Sequence, residues 1–424
     1  DPARLRKDLR ELLGNDKAWQ GYIELQELQH SIAKLIWPSF LKPLKSREKF
    51  ASSCANQLQK RAWRAFVEHP VGDILEELIP DSLLRGTLLT DAKIGISTFA
   101  HDPLLHQNRC YLLHTIGREE GHWSVPLGGM GTLTSELVRR CLEVGVEIAT
   151  SAEVMGIDLG AKQHTVTFEI ENQQESVDAQ YVVHCAGMNS FTRLLPEIQT
   201  NELNRSSTRA QIGTAVKVNM LLKKLPRPKC SHLTAHEMFA GSCHIFEDYE
   251  QLEISYRQSE QGHVPVPQPA DIYCHSLTDP SILGPSLRAL GYQTLTLFGL
   301  DMRYDLFASD NSAVKSQVLQ GYLEGLNEYL VDPIESCLAI DAHGKPCIEI
   351  LSPVDIEEKL TMEQGNIFHS ELSWFYASDS SQTGKWGVET DFPRIFLGGS
   401  SAQRGGAVSG IPGHNAAACI LRFD

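Results

Sequence analysis

No apolar run in the 424-residue chain approaches the roughly 20 residues that a bilayer-spanning helix needs, so no transmembrane segment is expected. Basic residues are scarce: 38 Lys and Arg stand against 53 Asp and Glu, a formal net charge of −15. That balance repels a phosphate backbone, which argues against a nucleic-acid partner and against a polybasic membrane anchor. The ten cysteines contain no C-x-x-C pair. They read as reduced, mostly buried thiols of a cytoplasmic or organelle-matrix protein rather than a zinc ribbon or a disulfide framework. H-E-x-x-H is missing, and the run His101, His106, His114, His122 fits no ligand spacing, so no metal is expected. The charged first ten residues are not a secretory signal. Repeats, low-complexity tracts, nucleophile elbows and phosphate loops are lacking too. Also absent is G-x-G-x-x-G, the turn with which a dinucleotide-binding fold normally opens.

What is there concentrates near the C-terminus. Ile395-Phe396-Leu397 reads as a short buried strand, followed by a loop with glycines at 398, 399, 405, 406 and 410, then by an alanine-rich helix with Pro412 in its first turn. Glycines let backbone N–H groups approach a ligand that a Cβ would push away. A helix N-terminus favours an anionic or electron-rich ligand atom.

From the N-terminus, residues 1–90 read as helices. Leu5, Leu9, Leu12 and Leu13 keep helical spacing, as do Leu25, Leu28, Ile32, Leu35 and Ile36 up to Pro38. A third set, Phe50, Cys54, Leu58, Ala62, Ala65 and Phe66, is closed by His69-Pro70. Residues 91–125 are mixed, with a turn at His101-Asp102-Pro103. A loop through Gly128 and Gly129 feeds a helix whose face is Leu133, Leu137, Cys141 and Leu142, stopped at Gly145. Val146-Glu147-Ile148 is expected to start a strand, Val166, Phe168 and Ile170 alternate on another, and a polar turn over residues 171–176 leads to an apolar strand ending at Ala186-Gly187. Residues 191–350 carry alternating segments, such as those around Val216 and Leu295, that predict an antiparallel sheet. One long helix there carries Val314, Val318, Tyr322, Leu326 and Leu330. The chain then returns through 351–424 to the glycine-rich stretch.

Leu397 to Ala418 resembles the C-terminal flavin-binding motif of the phytoene desaturase family of FAD-dependent oxidoreductases. Within it the likeness is to the branch named pyridine nucleotide-disulfide oxidoreductase domain-containing protein 2. Trp123-Ser124-Val125-Pro126-Leu127-Gly128-Gly129-Met130-Gly131, Gly365-Asn366-Ile367-Phe368-His369 and Leu89-Thr90-Asp91-Ala92 match as well, in family order over nearly the whole chain. Where the family has His-Pro-Gly-Gly-Gly, this chain has Gln403-Arg404-Gly405-Gly406-Ala407.

The resemblance implies an α/β fold with an α+β substrate part. A Rossmann-like FAD/NAD(P)-binding domain (126–190 and 351–424) would hold an inserted antiparallel-sheet substrate domain (91–125 and 191–350) under a helical cap (1–90). FAD would lie against Gly128, Gly129, Gly398, Gly399, Ser400, Gly405, Gly406, Val408, Ser409, Gly410 and Asn415, with Val154 near the adenine and Ala186 and Gly187 near the flavin nucleotide. The family carries its G-x-G-x-x-G unit at the N-terminus. The expectation is therefore an N-terminally incomplete domain, short by on the order of 100 residues, either a truncated product or half of an FAD site completed by a separate chain. The implied reaction is hydride removal from a C–H of a lipophilic substrate to flavin N5, giving desaturation or isomerisation. His369 and Arg404 are the candidate catalytic residues. Peripheral membrane contact at a hydrophobic mouth and oligomerisation belong to the same expectation. Two other readings stay open: a flavin amine oxidase, and a degenerate flavoprotein serving as a binding or scaffold protein.

Overall fold

The structure, a computed structural model, describes residues 2–117, 124–195 and 212–422. Trp123 and His122 lie outside them. The first ninety residues are helical: α1 (Pro2–Leu13), α2 (Lys17–Ile36), α3 (Arg47–Ser52), α4 (Gln57–Trp63), α5 (Val71–Leu78) and α6 (Ser82–Thr90). In α2 the apolar spacing places Leu25, Leu28, Ile32 and Ile36 on one buried face, and a 3-10 turn containing Pro38 ends it. Leu28 is fully buried, so Leu28→Ala costs about 2–5 kcal/mol. The third apolar set does not make one helix. Residues 53–56 break it, and Asn56 caps α4 by accepting from Gln59 N at 2.9 Å, which leaves Leu58 facing solvent. Phe50 and Trp63 nevertheless share one core with Phe66 and Tyr111, which Phe375 enters edge-on at 5.1 Å from Phe50.

After α7 (His106–Thr115) and α8 (Met130–Glu143) comes a meander of β1 (Ala152–Asp158), β2 (His164–Ile170) and β3 (Gln173–Ala179). The polar turn is narrower than the sequence suggests. Glu171 and Asn172, both at positive φ, reverse the chain, and β3 occupies the rest. Val146-Glu147-Ile148 forms no strand, because no described residue pairs with it. The expected α8 helix forms, and Leu133, Leu137 and Leu142 on its face are exposed.

β4 (Val182–His184) and α9 (Met188–Leu194) precede the larger sheet. Its elements are β5 (Val216–Leu222), α10 (Ala235–Phe239), β6 (Ser242–Ile245), α11 (Tyr249–Glu260), β7 (Ala270–Tyr273), α12 (His275–Thr278), α13 (Pro285–Ala289), β8 (Gln293–Gly299), α14 (Tyr304–Phe307), α15 (Asn311–Asn327), α16 (Ile334–Cys337) and β9 (Ile348–Leu351). The five strands run β6-β7-β8-β5-β9, all antiparallel. Val318, Tyr322 and Leu326 of α15 pack on Val218 and Leu297 as the helical spacing predicts. α17 (Pro353–Leu360) leads back to β10 (Ile395–Leu397) and α18 (Ile411–Ile420). β10 pairs with β4 in parallel, so the architecture is mixed α/β, with a parallel pair and antiparallel sheets. Ile157, Phe191 and Ile395 join the meander, α9 and the parallel pair in one cluster.

Candidate functional site at the carboxyl ends of the parallel pair

Both parallel strands end side by side, β4 at His184 and β10 at Leu397, and each feeds a loop and a helix. In open α/β sheets this crevice beyond the carboxyl ends is where ligands sit. Gly398 N donates to His184 O at 2.8 Å and continues the pairing into the loop.

The glycines divide into two kinds. A Cβ on Gly398 would lie 2.5 Å from Val183 Cγ1, one on Gly399 2.4 Å from Cys185 O, and one on Gly405 2.1 Å from Ser400 O. These three are demanded by the crossing of the chain over itself. Gly187 and Gly410 have nothing within 4 Å of such a Cβ. Gly410 sits with exposed Val408 and Ser409 at the open end of the C-terminal loop, and Gly187 leaves the loop after β4 open. Ser400 is half-buried, and its neighbour Ser401 donates to Ala186 O at 3.2 Å, holding the two loops together.

Gly410, at φ +69, caps α18, and Ser409 Oγ accepts from Ile411 N at 3.2 Å. Ala416 is buried on the strand beneath, whereas Ala417 is exposed and Ala418 half-buried. Asn415 is fully buried and donates from Nδ2 to Phe40 O at 3.0 Å, so its amide anchors α18 to the N-terminal helices.

Arg404 is 5% exposed. Its Nη1 donates to Ser39 O at 2.8 Å and Lys42 O at 2.9 Å, and its Nη2 donates to Trp386 O at 2.6 Å. Burial pushes the guanidinium down to about 10. Gln403 beside it donates to Tyr376 O at 2.8 Å and Trp374 O at 3.3 Å. Gln403 and Arg404 therefore both spend their side chains on main-chain carbonyls.

His369 sits at φ +64, half-buried. Burial lowers its pKa and so favours the neutral ring, and among the described residues its side chain has no hydrogen-bond partner. The turn that carries it packs on the loop: a Cβ on Gly406, at φ +86, would meet Leu372 Cδ2 at 2.7 Å and Phe368 Cδ1 at 3.5 Å.

Three other expected contacts stand on other elements. Gly128 N donates to Asp279 Oδ2 at 2.6 Å, and Gly129, at φ +85, precedes α8 with only Ile282 within 4 Å of its virtual Cβ. Val154 is 40% exposed on β1. Two open concavities, of about 500 and 520 Å³, lie elsewhere, one between α2 and α4 around His30 and Lys34, the other beside Asn219 and Glu349. A cluster that sequence spacing does not reveal, His244, Glu247 and Asp271, lies on β6, the turn after it and β7. No helix among the described residues is long and apolar enough to cross a membrane.

No family model matches the chain. Over 393 residues it is 39% identical to the Uncharacterized protein Rv0897c of Mycobacterium tuberculosis, spanning 91% of this chain and 72% of that protein. The chain belongs to the Rv0897c family. The Mycobacterium bovis member, Uncharacterized protein Mb0921c, matches to the same extent. This Rv0897c-family chain is also 25% identical over 370 residues to the mouse Pyridine nucleotide-disulfide oxidoreductase domain-containing protein 2, across 83% of this chain and 60% of the mouse protein. Among solved structures it resembles in outline an oxidoreductase from Methanosarcina mazei, with a TM-score of 0.48 and 13% identity over 89% of this chain and 75% of that one.

Proposed function

We propose that this chain is a flavin-dependent oxidoreductase with FAD held over the carboxyl ends of β4 and β10. The observation that carries the reading is the glycine loop that crosses there, with Gly187 left open at the start of α9 and Gly410 at the start of α18. The residues fit the group: a flat ring can lie on a surface without Cβ atoms, and the helix N-terminus favours the negative charge that a reduced ring acquires. The oxidoreductase name of the mouse relative points the same way. Bound FAD would supply the two-electron acceptor. Gly398 and Gly399 hold the loop close on β4, and Ser409 Oγ accepts from Ile411 N where α18 begins, beside the ring's place. His369, whose neutral form burial favours and which has no hydrogen-bond partner among the described residues, is the group available to take the proton that leaves when a C–H oxidation makes a double bond.

The finer reading is oxidation of a lipophilic substrate, with the same site able to serve an amine. Product analysis with an isoprenoid and with an amine separates the two. A second reading, a flavin-fold binding protein without turnover, is favoured by Arg404, whose three carbonyl bonds leave it no reach toward a substrate.

The test is FAD titration of the purified chain, followed by flavin fluorescence quenching, with Gly187→Leu as the probe. Gly187 has φ −69 and open space for a side chain, so the fold tolerates leucine and a ligand lying there does not. Saturable binding weakened about ten-fold or more, on the order of 1.4 kcal/mol, supports the proposal. No binding by the wild-type chain, or equal binding by Gly187→Leu, overturns it.

A further inference from the structure

Away from the glycine loop, the register of the larger sheet sets His244 on β6 directly opposite Asp271 on β7. Phe246, at φ +56, then turns the chain so that Glu247 comes back to the same imidazole. Helix α6 seals this turn: a Cβ on Gly86 would lie 1.9 Å from Glu247 O. His244 Nδ1 is 2.6 Å from Glu247 Oε2 and 2.6 Å from Asp271 Oδ1. Glu247 is 1% and Asp271 2% exposed, while the imidazole keeps 23% of its side-chain surface in solvent.

One ring nitrogen carries at most one proton and cannot serve both carboxylates. Asp271 Oδ1 and Glu247 Oε1 are both buried without a hydrogen-bond donor. Two buried carboxylates around one imidazole leave excess negative charge in a poorly solvated place, which a cation offsets. The surrounding groups orient all three side chains. Ser242 Oγ lies 3.1 Å from His244 Nε2, and an Nε2–H donated to it leaves the Nδ1 lone pair turned toward the carboxylates. Thr90 donates to Glu247 Oε2 at 2.7 Å, and the Tyr273 hydroxyl donates to Asp271 Oδ2 at 3.0 Å. Such outer partners are what fix the ligands of a metal site.

We propose that His244, Glu247 and Asp271 bind one divalent cation of the zinc class through Nδ1 and one oxygen of each carboxylate, with a fourth position open on the solvent side. The ligand atoms all lie within 4.8 Å of one another. Metal–ligand bonds of about 2.0–2.2 Å need the ring to withdraw slightly from its present contacts, and its exposed edge gives it room. Because Thr90 belongs to α6, the ion ties the sheet to the helical region. The donor set of one nitrogen and two oxygens suits zinc better than calcium, which takes six to eight oxygens.

The experiment uses the full chain with exposed thiols such as Cys185 and Cys230 alkylated, so that they cannot hold zinc. After dialysis against a chelator, Zn²⁺ binding is followed by calorimetry, and the melting temperature is read with and without the metal. One equivalent of Zn²⁺ should bind saturably and raise the melting temperature. His244→Ala should abolish both effects, and Tyr273→Phe, which spares the three ligands, should weaken binding about 10- to 100-fold. His101→Ala, at the exposed Asp73–Glu76 cluster, should bind as wild type. The proposal is overturned if the folded wild-type chain binds no Zn²⁺ saturably, if Tyr273→Phe and His244→Ala keep wild-type affinity, or if His101→Ala is the variant that loses it.

Discussion

The Arg404 guanidinium donates to the main-chain carbonyl of Ser39 at 2.8 Å, joining positions 365 residues apart in the chain. With its bonds to Lys42 O and Trp386 O, it fastens the C-terminal loop to the end of the first long helical run. Arg404→Ala leaves three carbonyls without this donor. The expected loss is roughly 3 kcal/mol or more in unfolding free energy, at 1–3 kcal/mol for each group that stays buried. Urea denaturation measures it. Arg404→Lys, with one ammonium in place of the planar fork, should recover only part of the loss.

The His106 network predicts how stability follows pH. His106 Nδ1 lies 2.8 Å from Asp102 Oδ2 and Nε2 3.2 Å from Glu371 Oε1, with Arg109 also on Glu371 at 2.9 Å. Hydrogen bonds to the two carboxylates raise His106 above its ordinary 6.5. Asp102 and Glu371 are held below their ordinary 3.8 and 4.5, by His106 with Leu104 N for the first and by His106 with Arg109 for the second. A raised histidine contributes stability that is complete below 6.5 and disappears as pH climbs through its folded value. The depressed acids contribute stability that is complete above 4.5 and disappears as pH falls through theirs. The network is therefore most stabilising between about pH 4.5 and 6.5. Melting temperatures from pH 3 to 9 should show His106→Gln flattening the alkaline limb and Glu371→Gln reducing both.

Lys93 and Asp301 form a buried pair, with Nζ 3.2 Å from Oδ1 and also donating to Thr98 O at 2.6 Å. Burial raises the Asp301 pKa despite the nearby ammonium. Removing one partner strands the other: Lys93→Met or Asp301→Asn should each cost about 3–5 kcal/mol. The double variant should cost clearly less than the sum, and a double-mutant cycle in denaturant reads that difference.

Two glycines, one from each loop, should respond unequally to the same change. Gly399→Ala forces a methyl to 2.4 Å from Cys185 O and should destabilise by about 1–3 kcal/mol or more. Gly187→Ala meets nothing and should stay within about 0.5 kcal/mol of wild type. Thermal melts of both variants make the comparison.

The strand, loop and helix from Ile395 to Ile420 were legible because strand pattern, glycine spacing and Pro412 are all local signals. The faces of α2 and α15 were legible for the same reason, since one helical period is written within each. Where a feature depends on a distant partner, the sequence was silent. Val146-Glu147-Ile148 has the composition of a strand but no neighbour to pair with among the described residues. Arg404 reads as a loop cation until Ser39 and Lys42 arrive from the other end of the chain. His244 and Asp271 become neighbours only through the register of β6 and β7.

Every acceptor of the Arg404 guanidinium and of the Asn415 amide is a peptide oxygen: Ser39, Phe40, Lys42 and Trp386. Such a lock does not itself read the side chains at 39, 40 and 42; Ser39 is held separately by its bond to Ile36 O and Phe40 by the core it packs against, which leaves Lys42 the freest of the three. The lock is intolerant of a change in spacing. One residue inserted or deleted between Pro38 and Leu44 would carry the oxygens out of register and release the tail of the molecule, which is where indels and point changes should part company in any mutational scan.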